Sequence, residues 1–239
     1  MKLHIPNALT CCNLFSGCIA AVMVFRDRLD YAAYFIFISA FFDLLDGMVA
    51  RKVLSNAAFG KELDSLADVV SFGFVPGAMM FKLLQQSHLD EYFQSEVIIK
   101  IIQFFPFIIT IFSALRLAKF NLDTRQSTSF IGLPTPANTL FIISLPLILI
   151  QFPGTFEGYI LNPYFLLLST MVLSFLLVAE IPLFSMKFKT LSIKENIYQY
   201  VLLIITLIVF PIFLFAAIPL VIILYILLSM IQNYTKAKI

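Results

Sequence analysis

Asp43, Asp46, Asp64 and Asp68 stand within 26 residues of one another, in the stretch FFDLLDGMVARKVLSNAAFGKELDSLADVVSFG of an otherwise apolar chain. Asp43, Asp46, Gly47 and Ala50 recur at i, i+3, i+4 and i+7, which is one stripe of a helix. Gly60, Asp64 and Asp68 recur at i, i+4 and i+8, a second stripe. A lone aspartate at mid-bilayer costs about 2.5–3.5 kcal/mol on insertion scales. Four of them approach the whole stability of a typical fold, about 5–15 kcal/mol. Such a cluster must be hydrated, protonated or neutralised by cations. Arg51, the one basic residue in register, cannot balance four carboxylates. Hard carboxylate oxygens suit magnesium or manganese, and two ions bridged by carboxylates point to phosphoryl chemistry. Gly47 and Ala50 leave room on that stripe for a nucleotide, and the Arg51 fork can reach phosphate oxygens. The competing reading is a water-filled vestibule whose charges only serve solvation.

The elements that must carry these residues are membrane spans. Of the 239 residues 61% are hydrophobic and only 13% charged, far from the composition of a soluble domain. Windows of about 20 apolar residues predict an all-α bundle of about eight transmembrane helices. They are roughly 7–25, 31–50, 65–84, 97–118, 134–152, 163–183, 197–215 and 217–234. The last two form one long run, in which Pro211 and Pro219 offer a place to turn; a single kinked helix is the alternative. The chain reads as one integral-membrane domain, 1–239, and its first segment does not read as a cleavable signal. Placing both termini in the cytoplasm leaves only Arg26, Arg28, Lys82 and Lys100 outside, with the other basic residues inside. The 51–61 loop and the aspartate pairs flanking it then face the cytoplasm. Cys11, Cys12 and Cys18 form no metal or disulfide pattern and are expected to be small buried apolar residues. The net charge of +2 gives no sign of a nucleic-acid partner.

These residues resemble the CDP-alcohol phosphotransferase family, whose motif is D-x2-D-G-x2-A-R-x8-G-x3-D-x3-D. Asp43, Asp46, Gly47, Ala50, Arg51, Gly60, Asp64 and Asp68 fill every fixed position at the right spacing. IPNALTCCNLFSG, DVVSFGFVPG, SALRLAKFN and FIGLPTPAN further resemble the bacterial and archaeal phosphatidylserine synthases, carrying the likeness from Ile5 to about Asn138. The last hundred residues match only as apolar spans.

The resemblance implies transfer of a phosphatidyl group from CDP-diacylglycerol to L-serine, giving phosphatidylserine and CMP. It implies two divalent ions, magnesium or manganese, on Asp43, Asp46, Asp64 and Asp68. Asp68 would also be the general base on the serine hydroxyl. Asn7, Thr10, Gly47, Ala50, Arg51 and Gly60 would bind CDP-diacylglycerol. For Asn7 and Thr10, a helix N-cap with a following polar residue is the alternative. A homodimer surrounded by membrane lipids, in the bacterial inner membrane with a cytoplasmic active site, is implied likewise.

The acceptor region is expected at 113–138, with Arg116, Asn121 and Thr135 as serine contacts and Asn138 nearby. Arg116 could instead be a snorkelling anchor. Glu180 is expected to be capped or interfacial, beside a helix-weakening Pro182, and the polar loop LDTRQSTSF could close over the site. The motif leaves open another alcohol, such as glycerol 3-phosphate or inositol phosphate. A cation transporter is the other class, but it would place acids deep in several spans of repeated halves.

Overall fold

The computed structural model describes residues 5–50, 57–123, 129–185, 192 and 196–236. Helices α1 (Ile5–Phe25) and α2 (Leu29–Ala50) form an antiparallel pair. The next run comprises α3 (Ala57–Asp68), a π-helical turn (Val69–Phe74) and α4 (Val75–Gln85). The short α5 (Leu89–Tyr92) leads to α6 (Glu96–Ile102), a 3-10 turn (Phe105–Phe107) and α7 (Ile108–Leu122). Strand β1 (Ser129–Ile131) precedes α8 (Thr135–Gln151), α9 (Glu157–Ile160) and α10 (Pro163–Val178). Strand β2 (Pro182–Phe184) precedes α11 (Ile197–Phe213) and α12 (Ala217–Lys236). Among the described residues the fold is helical, with one two-stranded antiparallel ribbon, β1–β2.

Among the described residues, five helical runs are long and apolar enough to cross a membrane: Ile5–Phe25, Leu29–Ala50, Ala58–Gln85, Glu96–Leu122 and Ile197–Thr235. Helices α8 and α10 are apolar but shorter. The last run has 39 residues, which as one straight helix would extend about 58 Å. It folds back instead: Tyr198 Oη donates to Thr235 Oγ1 at 3.3 Å, joining its two ends. The reversal falls at Leu214–Ala216, with Leu214 in the left-handed region (φ 44°), after Pro211. Gln151 at the end of α8 holds this turn, accepting from the Phe215 N–H at 3.1 Å and donating to the Phe213 carbonyl.

Two boundaries and one burial expectation differ from the sequence reading. Helix α3 begins at least eight residues before the expected span, because Lys61, Glu62 and Asp64 lower the hydropathy of its first turns without breaking the helix. Helix α10 ends at Val178, not 183: Ala179 turns to extended backbone (ψ 140°) and Pro182, unable to donate to a helix, sits in a strand. The cysteines are exposed on the outer side of α1. The buried stripe of that helix is Pro6, Thr10, Asn13, Gly17, Ala20 and Val24, at helical spacing.

The π turn follows directly on Asp68 and has a local cause. Pro76 has no N–H for the Phe72 carbonyl four residues back. Thr139 Oγ1 on α8 takes that carbonyl at 2.9 Å, and Thr110 Oγ1 on α7 takes Gly73 O at 3.1 Å. A widened turn with diverted carbonyls is typical of functional positions. Here it locks the aspartate-bearing helix to both neighbours. Small residues permit the approach: a Cβ at Gly17 would collide with Ser71 Oγ, and one at Gly73 would stand 3.1 Å from Ser113 Cβ.

Candidate metal and phosphoryl-transfer site

Helices α2 and α3 bring their acids together as their stripes predict. One carboxylate oxygen from each of Asp43, Asp64 and Asp68 lies within 4.8 Å of the others, a group able to hold a metal ion. Asp68 is buried, Asp43 and Asp64 half-buried, and Asp64 Oδ1 is buried without a hydrogen-bond partner. An orphaned buried carboxylate oxygen beside two further acids is the donor set a hard divalent cation takes. The residues therefore fit the ion that the sequence suggested. Phe41, Leu44 and Met48 point outward from α2, opposite the acidic stripe.

Asp46 is buried, one turn further along α2, and is not part of that close triad. It accepts from Thr10 Oγ1 at 2.6 Å, and Thr10 also donates to the Pro6 carbonyl at 3.1 Å. Thr10 thus orients an aspartate. Asn7 lies inside α1 rather than at an N-cap in front of it, and its Oδ1 would be 3.4 Å from a Cβ placed at Gly60. Gly60 therefore allows α3 to lie against the start of α1. Gly47 has open space where a Cβ would stand, and Ala50 is exposed at the end of α2. Arg51 lies outside the described residues.

Asn13 was not singled out in the sequence, although it belongs to the first-helix segment quoted above. Fully buried, it donates from Nδ2 to Asp68 Oδ1 at 3.2 Å. Its Oδ1 accepts from Ser39 Oγ, which fixes the amide orientation. Ser39 and Ser71 also both donate to the Asn13 carbonyl, at 3.2 and 3.3 Å. The only sequence signal was an amide one helical turn from Thr10, in an apolar helix.

On the acceptor side, Arg116 is buried on α7, and its Nε has no hydrogen-bond partner among the described residues. Its guanidinium carbon lies 5.7 Å from the Phe120 ring centre. Burial sets it apart from a snorkelling anchor, whose head group reaches water. Thr135 Oγ1 and both amide atoms of Asn138, at the start of α8, are buried and likewise unpartnered among the described residues. Asn121 is engaged: its Nδ2 donates to Ser65 Oγ at 2.8 Å and its carbonyl accepts from Lys61 Nζ at 2.7 Å, tying α7 to α3. Glu180 is exposed, in a 3.0 Å ion pair with Lys119.

The sequence model of the CDP-alcohol phosphatidyltransferases matches residues 3–234. The chain belongs to that family. The match takes in the C-terminal helices, beyond the stretch where motifs alone carried the likeness. The family comprises transferases of phospholipid biosynthesis that use divalent metals, and the apolar helices make this member a membrane protein. A CDP-diacylglycerol–serine O-phosphatidyltransferase of Bacillus subtilis is 30% identical over 185 residues, 74% of this chain and 88% of its own. The enzyme of the same name from Saccharomyces cerevisiae is 33% identical over 160 residues, 60% of this chain and 54% of its own. An archaetidylserine synthase of Methanothermobacter thermautotrophicus is 30% identical over 142 residues, 59% of this chain and 56% of its own. Against the yeast and archaeal proteins, this chain spans little more than half the relative's length.

Proposed function

We propose that this protein transfers the phosphatidyl group of CDP-diacylglycerol to L-serine, releasing CMP and forming phosphatidylserine. The observation that carries the reading is the convergence of Asp43, Asp64 and Asp68 oxygens within 4.8 Å, from two adjacent helices. The names of the relatives from B. subtilis, yeast and the archaeon support serine over other alcohols. Two magnesium or manganese ions on Asp43, Asp46, Asp64 and Asp68 would neutralise the pyrophosphate and polarise the attacked phosphorus.

The chain's own residues supply the rest. Asn7, Thr10, Gly47, Ala50, Arg51 and Gly60 form the CDP-diacylglycerol side, with Gly47 and Ala50 leaving the helix surface open and Arg51 meeting phosphate oxygens. Asp68 takes the proton of the serine hydroxyl, whose oxygen bonds to the phosphorus bearing diacylglycerol as the bond to CMP breaks. Arg116 faces the serine carboxylate, while Thr135 and Asn138 offer hydroxyl and amide groups that have no partner among the described residues. Asn121 holds α7 against α3 through Ser65.

The eight apolar segments each cross the membrane once, with both termini in the cytoplasm and the aspartates toward that side. The protein works in a bacterial inner membrane, as a homodimer among lipids. The acceptor assay is direct. Membranes containing the protein are incubated with CDP-diacylglycerol and labelled serine, glycerol 3-phosphate or inositol phosphate. Serine-dependent CMP release with labelled phosphatidylserine is the expected result. Release that answers only to another alcohol overturns the serine assignment, and no release with any alcohol overturns the reaction.

A further inference from the structure

Thr135 and Asn138 open α8, so their placement depends on the segment just before it. That segment is held by the far side of the bundle. The Gly132 N–H donates to Ile181 O at 2.9 Å and the Leu133 N–H to Leu176 O at 2.8 Å. A Cβ at Gly132 (φ 75°) would lie 2.6 Å from Leu177 O, so the approach requires glycine. Strand β1 pairs with β2 in the register Ser129↔Phe184, Phe130↔Leu183 and Ile131↔Pro182.

The outer edge of β2 is capped by α12. Tyr225 Oη donates to Phe184 O at 2.9 Å, the Phe184 N–H donates to Ser229 Oγ at 3.4 Å, and Asn233 Nδ2 donates to Pro182 O. Tyr225, Ser229 and Asn233 recur at i, i+4 and i+8, a single polar stripe on an apolar helix. Residues 182 and 184 share one edge of the strand, as the alternation of an antiparallel pair requires. Pro182, which has no N–H to satisfy, suits that edge. The Tyr225 ring also packs edge-on against Phe184, with centroids 5.0 Å apart. Polar side chains on a membrane helix are retained where they find partners. These three find theirs on the ribbon that carries the start of α8.

We propose that Tyr225, Ser229 and Asn233 are positioning residues for the acceptor substrate. They fix β2, β2 fixes β1, and β1 with Gly132 sets Thr135 and Asn138, which with Arg116 make up the proposed serine pocket. The proposal rests on the reading of that pocket as the serine site. It gives the C-terminal helices a task in acceptor binding.

The test is steady-state CMP release by purified full-length protein, with serine and CDP-diacylglycerol varied in turn. Ser229→Ala and Tyr225→Phe each remove one hydroxyl, and thermal melting of each variant verifies that it folds. Each should raise the KM for serine about fivefold, the effect of one lost hydrogen bond. The KM for CDP-diacylglycerol and kcat should stay within about twofold of the parent. Asn138→Ala, read beside them, separates the two levels. If it raises the serine KM and the α12 variants do not, the positioning role is overturned and the pocket stands. If it leaves the serine KM unchanged, the pocket reading falls and the proposal with it. Equal rises in both KM values with a lowered melting temperature would make the α12 stripe a general brace and overturn the proposal.

Discussion

Asn13 Nδ2 donates to Asp68 Oδ1 at 3.2 Å from within a fully buried network, so the carboxylate assigned as general base is aimed by an amide on a different helix. Ser39 on α2 fixes the amide, and Ser39 and Ser71 hold its backbone carbonyl. Partners of metal-binding carboxylates typically contribute about 10–100-fold to activity or metal affinity. Asn13→Ala should therefore lower kcat for CMP release by about that factor, with the KM for CDP-diacylglycerol little changed. Initial-rate kinetics on the purified variant check this. A fully active Asn13→Ala enzyme would show that Asp68 needs no such aim.

Asp68→Asn keeps the size and hydrogen-bonding shape of the side chain but removes its basicity. It should abolish transfer to serine while labelled CDP-diacylglycerol still binds in a filtration assay. Near-normal turnover would remove Asp68 from the role of base.

Chelation tests the acidic group as a whole. With EDTA present CMP release should fall to background, and added magnesium or manganese should restore it. Asp43→Asn and Asp64→Asn should each require a higher metal concentration for half-maximal activity, since each removes one charged oxygen from the set within 4.8 Å. Activity that persists after exhaustive chelation would contradict a metal-dependent reaction.

The acidic site was legible because carboxylates are costly in apolar helices, so their spacing carries a strong signal. The turn near Pro211 was legible for a similar reason: a mostly apolar run of 39 residues is long for one crossing, and its prolines offer a place to turn. The ribbon was not legible. Its strands are three residues each and pair across more than fifty residues of sequence, from Ile131 to Pro182. Neither strand alternates over a length that periodicity can detect. Pro182 was correctly read as weakening a helix, but what replaces the helix depends on Phe184 meeting Tyr225 and Ser229 on α12. The π turn was only half legible: Pro76 removes a donor locally, but Thr110 and Thr139, which take the Gly73 and Phe72 carbonyls, reach across from other helices. Asn13 looked like one more polar residue in α1 until Asp68 and Ser39 were seen around it.

The C-terminal hairpin gives a topological prediction. Tyr198 and Thr235 share one end of the bundle, and Leu214 lies at the reversal. In a background with Cys11, Cys12 and Cys18 replaced, Leu214→Cys should react with a membrane-impermeant maleimide added to intact cells. Thr235→Cys should react only after the membrane is opened. Labelling of both positions from the same side would contradict two crossings in this run.

The contact between Gly17 and Ser71 sets the distance between α1 and the π turn, and with it the reach of Asn13 to Asp68. A Cβ at Gly17 would overlap Ser71 Oγ and stand 3.0 Å from Ser71 Cβ. Overpacking of this kind typically costs about 1–3 kcal/mol. Gly17→Ala should therefore lower the melting temperature of the purified protein and reduce kcat, because α1 carries Asn13 away as it shifts. Ser71→Ala removes the hydroxyl that the new methyl would strike. Combined with Gly17→Ala it should recover part of both losses, a non-additivity expected of residues in direct contact. Strictly additive effects in the double variant would mean that the two helices do not meet at this point.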